Sequence, residues 1–272
     1  IWLKHPVQFN LFPLPTEEKI KIIKGFLEID KNKEPQNYQE WLYQQYGKYF
    51  SDNYPIKYTR KYWATEADKL TTDWVSSRFN IPDIDQVLGG ALETQSENHY
   101  YAKSMRYPKE GGYKSYLKHM VSKIDINCNK KAVSIDLNKK NVFFKDGSYA
   151  FFDKLVSTIP LPELIKIINN VPEEVSIAAS KLIATSGQLV SFGFNKVIPE
   201  HLWFYIYDED FLPARAYSPS MKSKNNAPDN MSSIQFETYF SIKNKPKLVG
   251  QNLIDHIINK ASELGIFEKK DI

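Results

Sequence analysis

The chain has 272 residues, of which 42% are hydrophobic, 25% charged and 14% aromatic, a composition that folds rather than stays disordered. With 36 Lys+Arg against 32 Asp+Glu, the net charge of +4 is too small for the electrostatic footprint of a nucleic-acid binder, and no basic cluster is interleaved with aromatics. There is no apolar run of the roughly 18 residues needed to span a membrane. Five scattered His and one Cys leave no structural zinc set, and the single Cys128 excludes an internal disulfide and points to a reducing, cytoplasmic compartment. The chain begins with Ile1 rather than Met and carries no signal peptide, so a cleaved or incomplete chain is expected.

The first hundred residues read as helical. Thr16 is a candidate N-cap, with Glu17 and Glu18 in the first turn and Ile20, Ile23 and Leu27 on one face. A second helix is expected to carry Tyr38, Trp41, Leu42, Tyr46 and Tyr49, and a third to begin at Thr72 or Asp73, carry Trp74, Val75 and Arg78, and end before Pro82. Gly89-Gly90 marks a break or a close backbone approach. After Gly111-Gly112, the residues Tyr113, Tyr116, Leu117, Met120, Val121 and Ile124 fall at i, i+3, i+4, i+7, i+8 and i+11, the strongest helix signal in the chain. Strands are expected at 132–135, at 142–145 and 148–151 about an Asp146-Gly147 hairpin turn, and at 155–159. Helices follow near 162–169 and 172–183. From Gly187 the period becomes two: segments at 187–194, 202–207, 214–218 and 232–240 predict an antiparallel sheet with one wet face, with a long loop at 219–230. A last helix carries Leu253, Ile254, Ile257, Ile258, Ala261 and Leu264.

No G-x-S-x-G, H-E-x-x-H, P-loop or G-x-G-x-x-G is present, and no carboxylate pair is nominated as acid and base. Five segments nevertheless carry a resemblance. These are His5-Pro6-Val7-Gln8-Phe9-Asn10, Tyr58-Thr59-Arg60-Lys61-Tyr62-Trp63, Tyr107-Pro108-Lys109-Glu110-Gly111-Gly112, Phe152-Asp153-Lys154-Leu155-Val156-Ser157-Thr158-Ile159-Pro160, and a set formed by Trp203, Tyr205, Pro213-Ala214-Arg215, Asn226-Ala227-Pro228 and Ser233 to Glu237. In this order they resemble flavoenzymes of the amine oxidase superfamily, nearest the protoporphyrinogen oxidase-like proteins and the UDP-galactopyranose mutases. The second segment resembles the mutases' Y-T-x-K-Q-W, with Tyr62 in place of their Gln. Only Arg78 matches the mutases' pair of arginines on the following loop, which puts strict mutase activity in doubt.

The resemblance implies an α+β fold: a helical region at 1–104, a partial FAD/NAD(P)-binding, glutathione-reductase-like domain at 105–165, and substrate-domain sheet and helices at 166–272. It implies FAD as cofactor, touched by Gly111, Gly112, Ala132, Ser157, Thr158 and Pro160, although the family's glycine-rich FAD fingerprint is not in this sequence. It implies a small-molecule substrate, such as a nucleotide sugar or surface-polysaccharide precursor, held by Gln8, Asn10, Tyr58, Lys61, Trp63, Arg78, Tyr205 and Arg215. The flavin would carry the chemistry, by taking a hydride in an oxidoreductase or, when reduced, by attacking an anomeric carbon in a mutase-like isomerase. A cofactor-free ligand- or protein-binding domain is the alternative of a different class. By residue type alone, Trp63 and Trp74 suit core packing, Arg78 and Arg215 suit solvated surfaces, and Gly111-Gly112 suits a turn.

Overall fold

The computed structural model describes residues 1–75, 79–96, 104–198 and 201–272. The chain divides into two compact units, Ile1–Gly112 with Ser186–Phe240 and Asn244–Ile272, and Tyr113–Thr185 with Ser241–Lys243. The helical region and the later sheet therefore belong to one unit. Among the described residues no helix is long and apolar enough to cross a membrane.

In the first unit, α1 (Thr16–Leu27) starts one residue earlier than expected, since Pro15 stands at the N-cap and Thr16 is already helical. The expected second helix is two: α2 (Tyr38–Tyr46), capped by the Asn37 side chain on the Glu40 amide, and α3 (Lys48–Asn53). Gly47, at φ +73°, separates them, and a Cβ there would sit 2.4 Å from the Gly25 carbonyl. α4 (Pro55–Tyr62) begins at a proline in the first helical turn, where the missing N–H costs nothing. The helix expected from 72 is not formed over 72–75, where Trp74 packs at 4.8 Å on Tyr38, and Arg78 lies outside the described residues. Instead α5 (Ile84–Leu92) runs through Gly89-Gly90 behind an Asp83–Gln86 capping box. The glycine pair is a close approach, not a break: a Cβ on Gly90 would lie 2.3 Å from the Phe9 carbonyl oxygen. The core here gathers Leu11, Ile22, Leu42, Phe50 and Val87.

The same unit holds a sheet of β4 (Thr185–Phe194), β5 (Trp203–Tyr205), β6 (Arg215–Tyr217) and β7 (Ser232–Ser241), in the order β4-β7-β6-β5. β5–β6 and β6–β7 are antiparallel. Phe192, Phe194, Ala216, Ile234 and Phe236 turn to a core closed by α10 (Gln251–Glu263), whose Leu253, Ile257 and Ala261 are buried. The 219–230 segment begins with a short helix, Pro219–Lys222, capped by Ser218.

The second unit is built on β1 (Ala132–Asp136), β2 (Asn141–Phe144) and β3 (Tyr149–Phe151), an antiparallel meander, with helices Leu161–Ile167 and Glu173–Lys181. Gly147 closes the expected hairpin at φ +85°. Two expectations fail. The 113–124 helix is reduced to a 3-10 segment, Tyr113–Leu117, and one α-turn, Lys118–Val121, because its apolar face buries nothing: Tyr113 is 71% and Met120 55% exposed. Residues 155–159 form no strand, and Val156 is 87% exposed. Among the described residues, the region expected as a partial nucleotide-binding domain forms a meander with two helices and one parallel bridge, Ile135 to Ile168, and shows no βαβ unit.

The two adjacent glycines of α5 give a paired test. Gly90→Ala, forced against the Phe9 backbone, should lower unfolding free energy by about 1–3 kcal/mol in urea titrations. Gly89→Ala, whose Cβ meets only the Gln95 side chain at 3.6 Å, should raise it by roughly 0.5–1 kcal/mol.

Candidate active site

A cleft of about 370 Å³ opens in the first unit between α4 and the β5–β6 end of the sheet. One wall descends from a repeat at every fourth position, Tyr38, Leu42, Tyr46, Phe50, Tyr54, Tyr58 and Tyr62, all of which line it. Tyr58 and Tyr62, one helical turn apart, stack at 5.4 Å with planes 15° apart. Trp63 follows edge-on to Tyr62 at 5.2 Å and meets Trp74 at 5.7 Å. Both tryptophans are partly exposed at the rim, so they are not core residues.

The facing wall is set by strand register. Tyr205 lies opposite Arg215, and Arg215 opposite Glu237, so three strands place these side chains in one row on one face. Tyr205 meets Tyr58 edge-to-face at 5.2 Å. The Arg215 Nε donates to Glu237 Oε2 at 2.5 Å, and its guanidinium lies 5.3 Å above the Tyr62 ring. The Tyr239 hydroxyl donates to the same carboxylate oxygen. Burial by itself would lower the Arg215 pKa, but the hydrogen bond and charge of Glu237 override it and hold Arg215 above its ordinary range. Burial also raises Tyr58 and Tyr207, which remain neutral phenols. In the next row, the Tyr217 hydroxyl donates to Gln235, and the Lys222 ammonium lies 3.8 Å over the Tyr217 ring.

Of the residues singled out for substrate, Gln8, Tyr58, Trp63, Tyr205 and Arg215 line this cleft. The Gln8 Nε2 also donates to the Asn80 carbonyl at 2.8 Å. Asn10 is buried and holds its own turn, donating to the Pro6 carbonyl at 2.8 Å. Lys61 points away from the cleft lining and donates to the carbonyls of Ile206, Asp208 and Phe211 at 2.8, 3.0 and 2.7 Å. Burial lowers its pKa to about 7, against the raising effect of Asp208, Asp210 and Glu209, and it is the ammonium form that has an N–H for each of the three carbonyls. The sequence reading missed Tyr62 as a cation platform, Glu237 as the partner of Arg215, and Lys222. The four-residue aromatic spacing and the alternation Gln235-x-Glu237-x-Tyr239 were the available signals.

These features make an aromatic-lined cleft with an oriented guanidinium, in a helix-and-sheet unit. The flavin containing amine oxidoreductase family matches residues 11–234, and the chain belongs to that family. Its fold is similar to that of a reduced UDP-galactopyranose mutase, at 22% identity and a TM-score of 0.87 over 100% of this chain and 60% of the other. It is also similar to a structure from Exiguobacterium sp. 255-15 assigned as a protoporphyrinogen oxidase, at 14% identity and 0.63 over 92% and 57%. A Pyrococcus furiosus protein matches at 16% and 0.59 over 93% and 59%. The chain spans less than two thirds of each of these relatives.

FAD is the cofactor that family membership assigns. The residues singled out for it fit only in part. Gly111 and Gly112 have φ of +77° and +62°, and a Cβ on Gly112 would meet nothing closer than 3.8 Å, so a ligand could approach there. They precede a 3-10 segment, however, and no aligned helix dipole faces an anion. Ala132 is half-buried in β1, and Ser157, Thr158 and Pro160 are exposed along the irregular 155–160 segment of the second unit. Among the described residues these positions build no pyrophosphate cradle.

The Arg215–Glu237 pair makes Arg215 more than a solvated strand residue. Arg215→Ala, which strips the buried Glu237 carboxylate of its charged partner, should cost about 1.5–3 kcal/mol in urea unfolding with no ligand present.

Proposed function

We propose that this chain forms the substrate-holding part of a flavin-dependent enzyme acting on a nucleotide sugar, similar in kind to the UDP-galactopyranose mutases. The observation that carries this reading is the cleft itself: a Tyr58–Tyr62 stack with Trp63 edge-on beside it, aromatic surface suited to a planar base, ending at a guanidinium whose orientation is fixed by Glu237 and Tyr62. Stacking is tolerant of base identity and contributes about 1–3 kcal/mol per base, while a guanidinium suits bidentate contact to phosphate oxygens. The similarity of fold to the mutase over the whole chain adds support. The Tyr62 substitution and Arg78 as the single match to the mutases' arginine pair set this chain apart from the mutase pattern, and the finer choice between isomerase and oxidoreductase turns on which ligand the cleft accepts. Family membership favours both over a cofactor-free binding domain.

The test is a titration of the purified chain with UDP and with UDP-galactose, read by quenching of tryptophan fluorescence. Saturable quenching is expected, with Trp63→Ala losing it and Arg215→Lys weakening binding roughly ten- to hundredfold. Wild type that ignores UDP but binds carboxylate ligands would favour the oxidoreductase, and Arg215→Lys with wild-type affinity would remove the phosphate assignment. Added FAD should give no saturable shift in flavin absorbance, since no glycine-rich pyrophosphate turn is present in this sequence.

A further inference from the structure

Lys61 lies on α4 directly before Tyr62 and is sandwiched between two parts of the cleft. Its ammonium meets three carbonyls of the turn that joins β5 to β6, at Ile206, Asp208 and Phe211. An ammonium has three N–H donors, and three acceptors use all of them, which leaves none for a ligand. That turn carries Tyr205 and Tyr207 at its start and Arg215 at its end.

The turn is anchored on its other side by α10. The Leu212 amide donates to His256 Nε2 at 3.1 Å, and Lys260 pairs with Asp210 at 2.6 Å. On the α4 side, among the described residues, Arg60 also pairs with Glu209 at 2.6 Å and Lys57 with Glu209 at 3.8 Å. Glu209 is half-exposed, and exposed pairs of this kind contribute little to holding a geometry. The buried tripod of Lys61 is therefore the principal polar tie between α4 and the turn.

We infer that Lys61 is a positioning residue, which sets the spacing of the two cleft walls, Tyr58 and Tyr62 on α4 and Tyr205 and Arg215 on the sheet, by binding α4 to the β5–β6 turn. The edge-to-face contact of Tyr58 with Tyr205 and the seat of Arg215 over Tyr62 both span the gap that Lys61 bridges. Contacts of this kind forfeit roughly a quarter to a half of their energy to a gap of about 0.5–1 Å and more beyond it, so a loosened tie is read directly in their coupling.

The experiment has two arms on the full chain. The first is a double-mutant cycle of Tyr58→Leu and Tyr205→Leu, measured by urea unfolding, in wild type and in Lys61→Met. The Tyr58–Tyr205 coupling should fall by at least half in Lys61→Met, and coupling equal to wild type overturns the inference. Lys61→Arg keeps the charge but replaces a tripod by a planar fork, which cannot meet all three carbonyls. It should give an intermediate coupling, and if Lys61→Met does not fold, wild-type coupling in Lys61→Arg overturns the inference. The second arm rests on the nucleotide-sugar reading: UDP affinity should fall about tenfold in Lys61→Met and less in Lys61→Arg, a graded order that loss of fold alone does not produce. Loss of coupling in a protein whose wild type ignores UDP upholds the brace and removes the nucleotide reading instead.

Discussion

Glu237 is a carboxylate almost wholly buried in a β-sheet, and the polar end of the cleft follows from how that charge is met. An unpaired carboxylate in such a place would cost several kcal/mol. The strand register sets Arg215 directly opposite, Tyr239 supplies a hydroxyl, and Tyr62 supplies a ring face for the guanidinium. Compensation and orientation are thus the same interaction. The guanidinium is held at its Nε, and among the described residues its two terminal nitrogens are the donors that this bond leaves over. Close to the pair, the charges nearly cancel, and a ligand meets a directed donor rather than a diffuse positive field.

The sheet and α10 were legible because their burial agrees with their periodicity. Ile234 and Phe236 alternate with Gln235 and Glu237, and the structure puts the first pair in the core and the second on the opposite face, which is not wet throughout as expected, since Glu237 is buried there. The 113–124 segment shows the limit of that method. Its spacing is helical, yet Tyr113, Leu117 and Met120 are exposed, and periodicity without burial yields little more than a 3-10 segment and one turn. α5 was hidden by its own packing device, since Gly89-Gly90 reads as punctuation until the Phe9 backbone is seen against it. α4 was hidden by Pro55, which is as much at home at the start of a helix as in a loop.

The candidate site was legible in a different way. Resemblance, not composition, drew Gln8, Tyr58, Trp63, Tyr205 and Arg215 out of a sequence with many aromatics and cations, and the cleft collects these five. It could not say which cations face a ligand. Lys61 and Arg215 have the same charge, but one is taken up by main-chain carbonyls and the other by a side-chain carboxylate that leaves donors over. Nor could it separate Asn10 from Gln8, two residues apart, one folded back on Pro6 and the other at the cleft.

The four-residue spacing from Tyr38 to Tyr62 has a geometric cost that the helix breaks remove. An α-helix turns about 100° per residue, so a repeat of four advances about 40° beyond a full turn at each step. Carried through six steps on one unbroken helix, the stripe would wind roughly two thirds of the way round, and the last ring would look away from the first. The positive-φ residue at Gly47 and the irregular Tyr54, at φ −122° and ψ −81°, cut the run into α2, α3 and α4 before that drift accumulates. Each short helix starts at a fresh azimuth. Six side chains on three separate axes, with Tyr54 at the junction of two of them, can therefore surround one concave space, a closure that a single straight helix presenting a flat or spiralling stripe does not reach.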